Sequence, residues 1–307
     1  MAGVVSEARA AARGASNPRP KVVYVMGAGH SGSTILGLTL GNCANILFAG
    51  ELSRWLPRGG RSRFPNANRS RFWAAVAEQV KSTAAVSRHQ ARLLERSSPV
   101  LSPTSRRERN RAREPYRRIT EDLYYAIART TEATHIVDTS HFPRRARELQ
   151  ALDGIDLYLI FLVRQPQSVV ASYGRKNIPD KQTVDMPRTN GYLWLTYMRS
   201  LAVFLRHPRE QRLFVRHEAF LADPEGVLED IFTCIGSSVA VPDLAALETG
   251  VAFYGNRLIK ADVVTLKARP EKPSRGSRMT ALVQLPWNFI FARLGPAART
   301  VRSSGSN

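Results

Sequence analysis

A chain of 307 residues, 43% of them apolar, can build one large α/β domain or two smaller ones, and a single domain is expected. Lysines and arginines number 45 against 25 acids, and the resulting charge of +20 favours an anionic cofactor, a nucleic acid or an acidic membrane surface as partner. Cys43 and Cys234 lack metal-ligand spacing and imply no disulfide framework, and no apolar run approaches the roughly 20 residues that cross a bilayer, so a soluble protein of the reducing cytoplasm is expected.

Residues 1–20 are rich in Ala, Arg and Ser, resemble a transit peptide only faintly, and are expected to form a disordered leader outside the fold. From there short apolar runs alternate with helical patterns. The predicted strands are Lys21–Met26, Ile46–Ala49, His135–Asp138, Leu157–Val163 and Leu213–Arg216. The run Leu157–Val163 is almost wholly apolar, as befits a central parallel strand covered on both faces. Helical patterns over Arg71–Arg96 and Tyr116–Thr131 separate the second strand from the third, with a mobile surface loop expected at Ser97–Pro115. This alternation predicts an α/β fold with a doubly wound, mainly parallel sheet flanked by helices over residues 21–265. Residues 266–307 read as a basic tail holding one short apolar segment, Leu282–Leu294, which is expected to pack on the domain; contact with a membrane surface is the alternative.

In such sheets ligands bind beyond the carboxyl ends of the strands, so the residues there are the ones to read for chemistry. The first strand runs into Gly27-Ala28-Gly29-His30-Ser31-Gly32-Ser33-Thr34, a glycine loop opening a helix, whose amides can cradle a phosphate. Ser33 stands where a nucleotide-hydrolysing loop, G-x-x-x-x-G-K-[ST], has its lysine, so an anion can still be held but ATP hydrolysis is not expected. The second strand ends in Gly50-Glu51, where the carboxylate is a candidate general base or, alternatively, a partner for Arg54, Arg58 or Arg61. After the third comes Asp138-Thr139-Ser140-His141, in which Asp138 and Thr139 can simply cap a helix. The fourth is followed by Arg164, a cation in need of an anion at so buried a place, and, eight residues on, by Ser172. Together these two can flank a second phosphate.

These segments resemble the sulfotransferases that use 3′-phosphoadenosine 5′-phosphosulfate (PAPS), a family with a P-loop-like fold. Gly29, His30, Ser31, Gly32, Ser33 and Thr34 resemble its 5′-phosphosulfate loop, and Arg164 with Ser172 matches its 3′-phosphate motif in type and spacing. Phe214 to Pro224, which contains His217, is similar to a later strand and helix of the family, so the likeness runs from about Lys21 to Gly236. The resemblance implies transfer of a sulfuryl group from PAPS, without a metal, to a hydroxyl of a carbohydrate, glycolipid or small molecule. It also implies that His30 stands where the family usually has a basic residue beside the bridging oxygen. Glu51 matches the base of the glutamate-using branch, His141 replaces a lysine of the active-site turn and keeps a proton-carrying group, and His217 joins the donor site. The turn Gly255-Asn256-Arg257 resembles one found late in bacterial members, near the nucleotide.

Two further readings come from other classes. Gly27, Gly29 and Gly32 also satisfy G-x-G-x-x-G, and Glu51 follows where a ribose-binding acid belongs, so an NAD(P)-dependent oxidoreductase is the alternative. Charge alone suggests nucleic acid, but no interleaved aromatics support it and none is expected as partner. The arginine runs Arg54–Arg71 and Arg106–Arg118 either steer an anionic ligand or form a solvated face. Oligomeric state and the acceptor, whose loop is expected within Arg175–Thr189, are not encoded in any motif.

Overall fold

The computed structural model describes residues 18–80, 83–95, 102–176, 186–266 and 278–294. The predicted leader up to residue 17, residues 97–101 of the predicted loop and 177–185 of the acceptor segment lie outside them.

Five parallel strands form the central sheet: β1 (Lys21–Gly27), β2 (Ile46–Gly50), β3 (His135–His141), β4 (Asp156–Val163) and β5 (Arg212–Arg216). Their order across the sheet is β2-β3-β1-β4-β5. Each predicted strand is found, extended by one to three residues. The side-chain period of two explains why β1 and β4 are almost wholly apolar. Val22, Tyr24 and Met26 enter one core with Leu159, Phe161 and Val163, while Val23 and Val25 enter a second with Ile160 and Leu162 on the opposite face. The second face is covered by α1 (Ser33–Gly41), through Leu36, Leu38 and Leu40, and by the later helix Pro224–Ile235, through Leu228, Ile231 and Ile235.

Helices α2 (Ala67–Gln79), α3 (Arg88–Glu95) and α4 (Pro103–Thr130) cover the first face. The expected single helix Arg71–Arg96 is interrupted here. Val80 leaves α2 in an extended conformation, and α3 starts afresh from a reciprocal cap in which Ser87 Oγ accepts from Gln90 N–H and Gln90 Oε1 accepts from Ser87 N–H. The loop expected up to Pro115 is a helix from residue 103 onward: Ser102 caps it, Pro103 occupies its first turn, and it runs through Pro115. Pro115 removes one helical hydrogen bond, but its neighbours are anchored elsewhere, Arg113 and Arg117 on Glu148 and Ala112 and Tyr116 in the core.

Short α5 (Pro143–Leu149) follows β3, and α6 (Pro166–Lys176) follows β4. Long α7 (Met186–Arg206) returns the chain to the foot of β5, after which α8 (His217–Ala222) and α9 (Pro224–Ile235) complete the second layer. A two-stranded ribbon pairs β6 (Leu247–Glu248) with β7 (Val263–Val264). Beyond residue 277, α10 (Arg278–Val283) and α11 (Leu285–Leu294) return to the domain, and Trp287 and Phe291 pack on Tyr197, Phe161 and Phe214 in the first core. The segment Leu282–Leu294 thus supplies core side chains from one of its faces.

Candidate functional site

The C-terminal ends of β1, β3 and β4 converge on the glycine loop. Three of its residues have left-handed or otherwise glycine-favouring backbones: His30 at φ 67°, Gly32 at φ 89° and Gly27 at φ 157°. At Gly32, the N-cap of α1, no side chain caps the helix, so its first amides keep the partial positive charge that attracts anions. Gly32 also has no room for a side chain, since an added Cβ would lie 2.3 Å from His217 Nδ1.

Arg164 and Ser172 are brought to the same loop. Arg164 Nη1 donates to the carbonyl of His30 over 3.3 Å, and His30 Nδ1 and Ser172 Oγ share a hydrogen bond of 2.9 Å. The two anion-binding segments read from the sequence are therefore in direct contact through His30. His217 closes the far side. Burial and the neighbouring Arg164 lower its pKa to about 4, so it is neutral at physiological pH. Its neighbour Glu218 accepts from the backbone N–H of Gln165 at 2.6 Å and thereby ties α8 to the start of α6.

Two buried atoms here have no hydrogen-bond partner within the protein: Ser31 Oγ and His217 Nδ1. A buried polar atom left so is costly unless a ligand or water meets it, and both lie against the cradle of amides at the start of α1. The donor set, amides, hydroxyls, imidazoles and a guanidinium, fits a phosphorylated ligand. Thr34 is engaged structurally as well, its Oγ1 accepting from Asn256 N–H at 3.4 Å, which brings the predicted Gly-Asn turn onto the loop.

Glu51 leaves the end of β2 on a pinned backbone: its N–H donates to Tyr254 O at 2.8 Å, and the following Leu52 N–H donates to Asp138 Oδ1 at 3.3 Å. Its carboxylate lies 3.8 Å from Arg54 Nε, the nearest of the three arginines named above as possible partners. Arg54, Arg58 and Arg63 all lie over the ring of Tyr254, while Arg69 is buried and donates to the carbonyls of Phe64, Gly250 and Ile259. This first arginine run is thus mixed: Arg58, Arg61, Arg63 and Arg71 are exposed, as on a solvated face, while Arg69 is built into the structure.

His141, at φ 55°, ends β3 with its Nε2 3.9 Å from where a Cβ on Gly29 would stand. Burial, then Arg54, push its pKa down to about 4. Neutral at physiological pH, it carries one N–H and offers one nitrogen able to accept a proton, without the positive charge a lysine would bring. Asp138 caps no helix. It is the hub of a buried network, accepting from Tyr124 at 2.7 Å, from Arg145 Nη2 at 3.1 Å, and from both the N–H and the hydroxyl of Ser140. Arg145 reaches on to Glu95 at 3.3 Å and to Tyr116 at 2.6 Å.

Tyr173 and Tyr192 were not read from the sequence. The His30 and Tyr173 rings are 4.3 Å apart, the Tyr173 hydroxyl crowds Gly29, and the Gly29 amide donates to Tyr192 Oη at 3.5 Å. Tyr173 directly follows Ser172, and that adjacency is its signal in the sequence. Tyr192 has no local signal, because its contact joins residues 163 positions apart. Among the described residues no group of His, Cys, Asp and Glu is arranged to hold a metal ion, and no helix is long and apolar enough to cross a membrane.

Residues 20–240 match the family model described as the sulfotransferase family. Among solved structures, the chain is similar to the sulfotransferase domain from the curacin biosynthetic pathway, with 13% identity over 88% of this chain and 98% of that one and a TM-score of 0.53. It is likewise similar to the sulfotransferase domain from the Synechococcus PCC 7002 olefin synthase, with 18% identity, 90% and 96% coverage and a TM-score of 0.53. At these identities the structures speak for the fold. No curated protein sequence matches the chain.

Proposed function

Because the chain belongs to the sulfotransferase family and is thus a sulfuryl-transferring enzyme, we propose that its donor is PAPS and its acceptor a hydroxyl of a carbohydrate, glycolipid or small molecule. The observation that carries this reading is the meeting of the glycine loop with Arg164, Ser172 and His217 around two buried polar atoms that lack protein partners. A nucleotide with phosphates at both its 3′ and 5′ positions has the charges such a pair of adjoining pockets would need. PAPS supplies the activated sulfuryl group.

In this assignment Gly29, Ser31, Gly32, Ser33 and Thr34, with the N-terminus of α1, hold the 5′ end, and Arg164 and Ser172 hold the 3′-phosphate. Amides fixed at a helix start stabilise charge gathering on oxygen without any need to reorganise. His30, with Nδ1 engaged by Ser172, stands beside the reacting end, and His217 offers Nδ1 to the phosphate side. Glu51 removes the proton of the attacking hydroxyl, a role open to a carboxylate on a fixed backbone at the ligand edge. His141, neutral, is the second group able to accept that proton. We place the reaction in the cytoplasm, since Cys43 and Cys234 are both free thiols.

The dinucleotide alternative receives no support. In the dinucleotide fold β2 lies beside β1, so an acid at its end reaches the ribose, whereas here β3 intervenes between them. Thermal unfolding in the presence of adenosine 3′,5′-bisphosphate, NAD or ATP tests the donor. Stabilisation by the bisphosphate alone is the expected result, and stabilisation by NAD alone or by none of the three would overturn it.

A further inference from the structure

The helices α10 and α11 are buried on one side and apolar on the side that faces outward. Thr280, Gln284, Trp287 and Phe291 recur at helical spacing and face the domain, where Gln284 Nε2 donates to Asn190 Oδ1 at 2.8 Å. The opposite side, which in a surface helix is normally polar, instead presents Met279, Leu282, Leu285 and Phe289, with Leu282 at 68% and Phe289 at 64% exposure. Trp194 and Met198, one turn apart on α7, extend the same surface: Trp194 Nε1 donates to the carbonyl of Val283 at 3.0 Å and its ring lies 5.3 Å from that of Trp287. An outward face this apolar calls for cover.

Charge decides what covers it. Arg278 and Arg293 stand at the two ends of the apolar face. The chain just before it carries Lys267, Arg269, Lys272 and Arg275, and the chain after it Arg299 and Arg302, with Glu271 as the one acid from residue 267 to the end. A second copy of a chain of charge +20 would bring cations against cations. An anionic surface that also accepts Trp, Phe and Leu side chains satisfies both features, and that is the description of a bilayer rich in acidic headgroups. We propose that this face, formed by α10, α11 and the exposed side of α7, docks on an anionic lipid bilayer. The same α7 carries Tyr192 to the glycine loop, so docking holds the candidate site beside the membrane surface. The inference stands apart from the identity of the sulfuryl donor.

Flotation of the purified full-length chain with vesicles tests it, using phosphatidylcholine alone or with about a third phosphatidylglycerol. The expected result is binding to the anionic vesicles that weakens with salt and falls about tenfold or more in the variant Leu282→Glu, Phe289→Glu. The unfolding midpoint of that variant should equal the parent's, because both side chains are exposed. If it does not, Arg278→Gln with Arg293→Gln serves instead and should lower the salt dependence. Absence of binding to anionic vesicles overturns the proposal, as does equal binding to both vesicle types. So does a dimer in sedimentation equilibrium that the same substitutions dissociate.

Discussion

Glu51 and Arg164 make separable predictions, because one is assigned to the acceptor proton and the other to the donor. Replacing Glu51 by Gln keeps its size and removes its basicity. Calorimetry should find adenosine 3′,5′-bisphosphate bound with nearly unchanged affinity, while sulfuryl transfer falls by about 10²-fold or more. Arg164→Ala should instead weaken bisphosphate binding by about tenfold to a hundredfold, the loss expected of one charge-assisted contact. Full transfer in Glu51→Gln would remove its role. The histidines set a pH dependence. His141 and His217 titrate near 4 in the fold against a reference near ~6.5, so the unfolded chain binds more protons between these values. Stability from this source is present above about pH 6.5 and is lost as the pH falls toward 4. Between pH 7 and pH 5 the loss should be on the order of 2 kcal/mol per histidine, read from urea unfolding at the two pH values, and His217→Asn should flatten it. The residue types in the loop, at Glu51 and at Arg164 were legible because each follows a strand. Tyr192 and the Asp138 network were not, since their partners are set by packing between distant segments.

Single elements carry the site through their ends. The start of α1 depends on Gly32, which combines a positive φ with a contact too close for any side chain. Gly32→Ala should therefore abolish bisphosphate binding by displacing either the loop or His217, with the far-ultraviolet circular dichroism of the folded chain retained. Asp138, in the middle of β3, and Glu95, on α3, are held by Arg145 of α5, which is 2% exposed. Removing that guanidinium leaves two acids facing each other in the core. Arg145→Ala should cost about 3–5 kcal/mol in urea unfolding, and the segment bearing Glu51 should loosen with it, because the backbone of Leu52 hangs on Asp138. Two element boundaries escaped the sequence reading for identifiable reasons. The cap at Ser87 and Gln90 is a local signal embedded in a longer helical pattern, which masks it. Pro115 suggested the end of a loop, whereas contacts with Glu148 and the core carry the helix through it.

At the scale of the molecule, strands covered on both faces announce themselves as apolar runs, and this made β1 and β4 the plainest of the five. Their lateral order was not legible, since nothing local in β3 states which strands it will join. That order nevertheless separates a β2 beside β1 from a β2 one strand removed, and with it two classes of nucleotide chemistry. The second arginine run proved likewise mixed, Arg113 and Arg117 bonding Glu148 while Arg118 pairs with Glu114. A last consequence concerns the birth of the chain. β1 is made first yet finds its partners only in β3 and β4, with Lys21 opposite His135 on one side and Asp156 on the other. On the ribosome its sticky edges must wait until the chain has been synthesised as far as β4, an interval of several seconds or longer at about 5–20 residues per second. Chaperone demand during translation, and refolding yields that drop with concentration, are what such a late-closing centre imposes on its host.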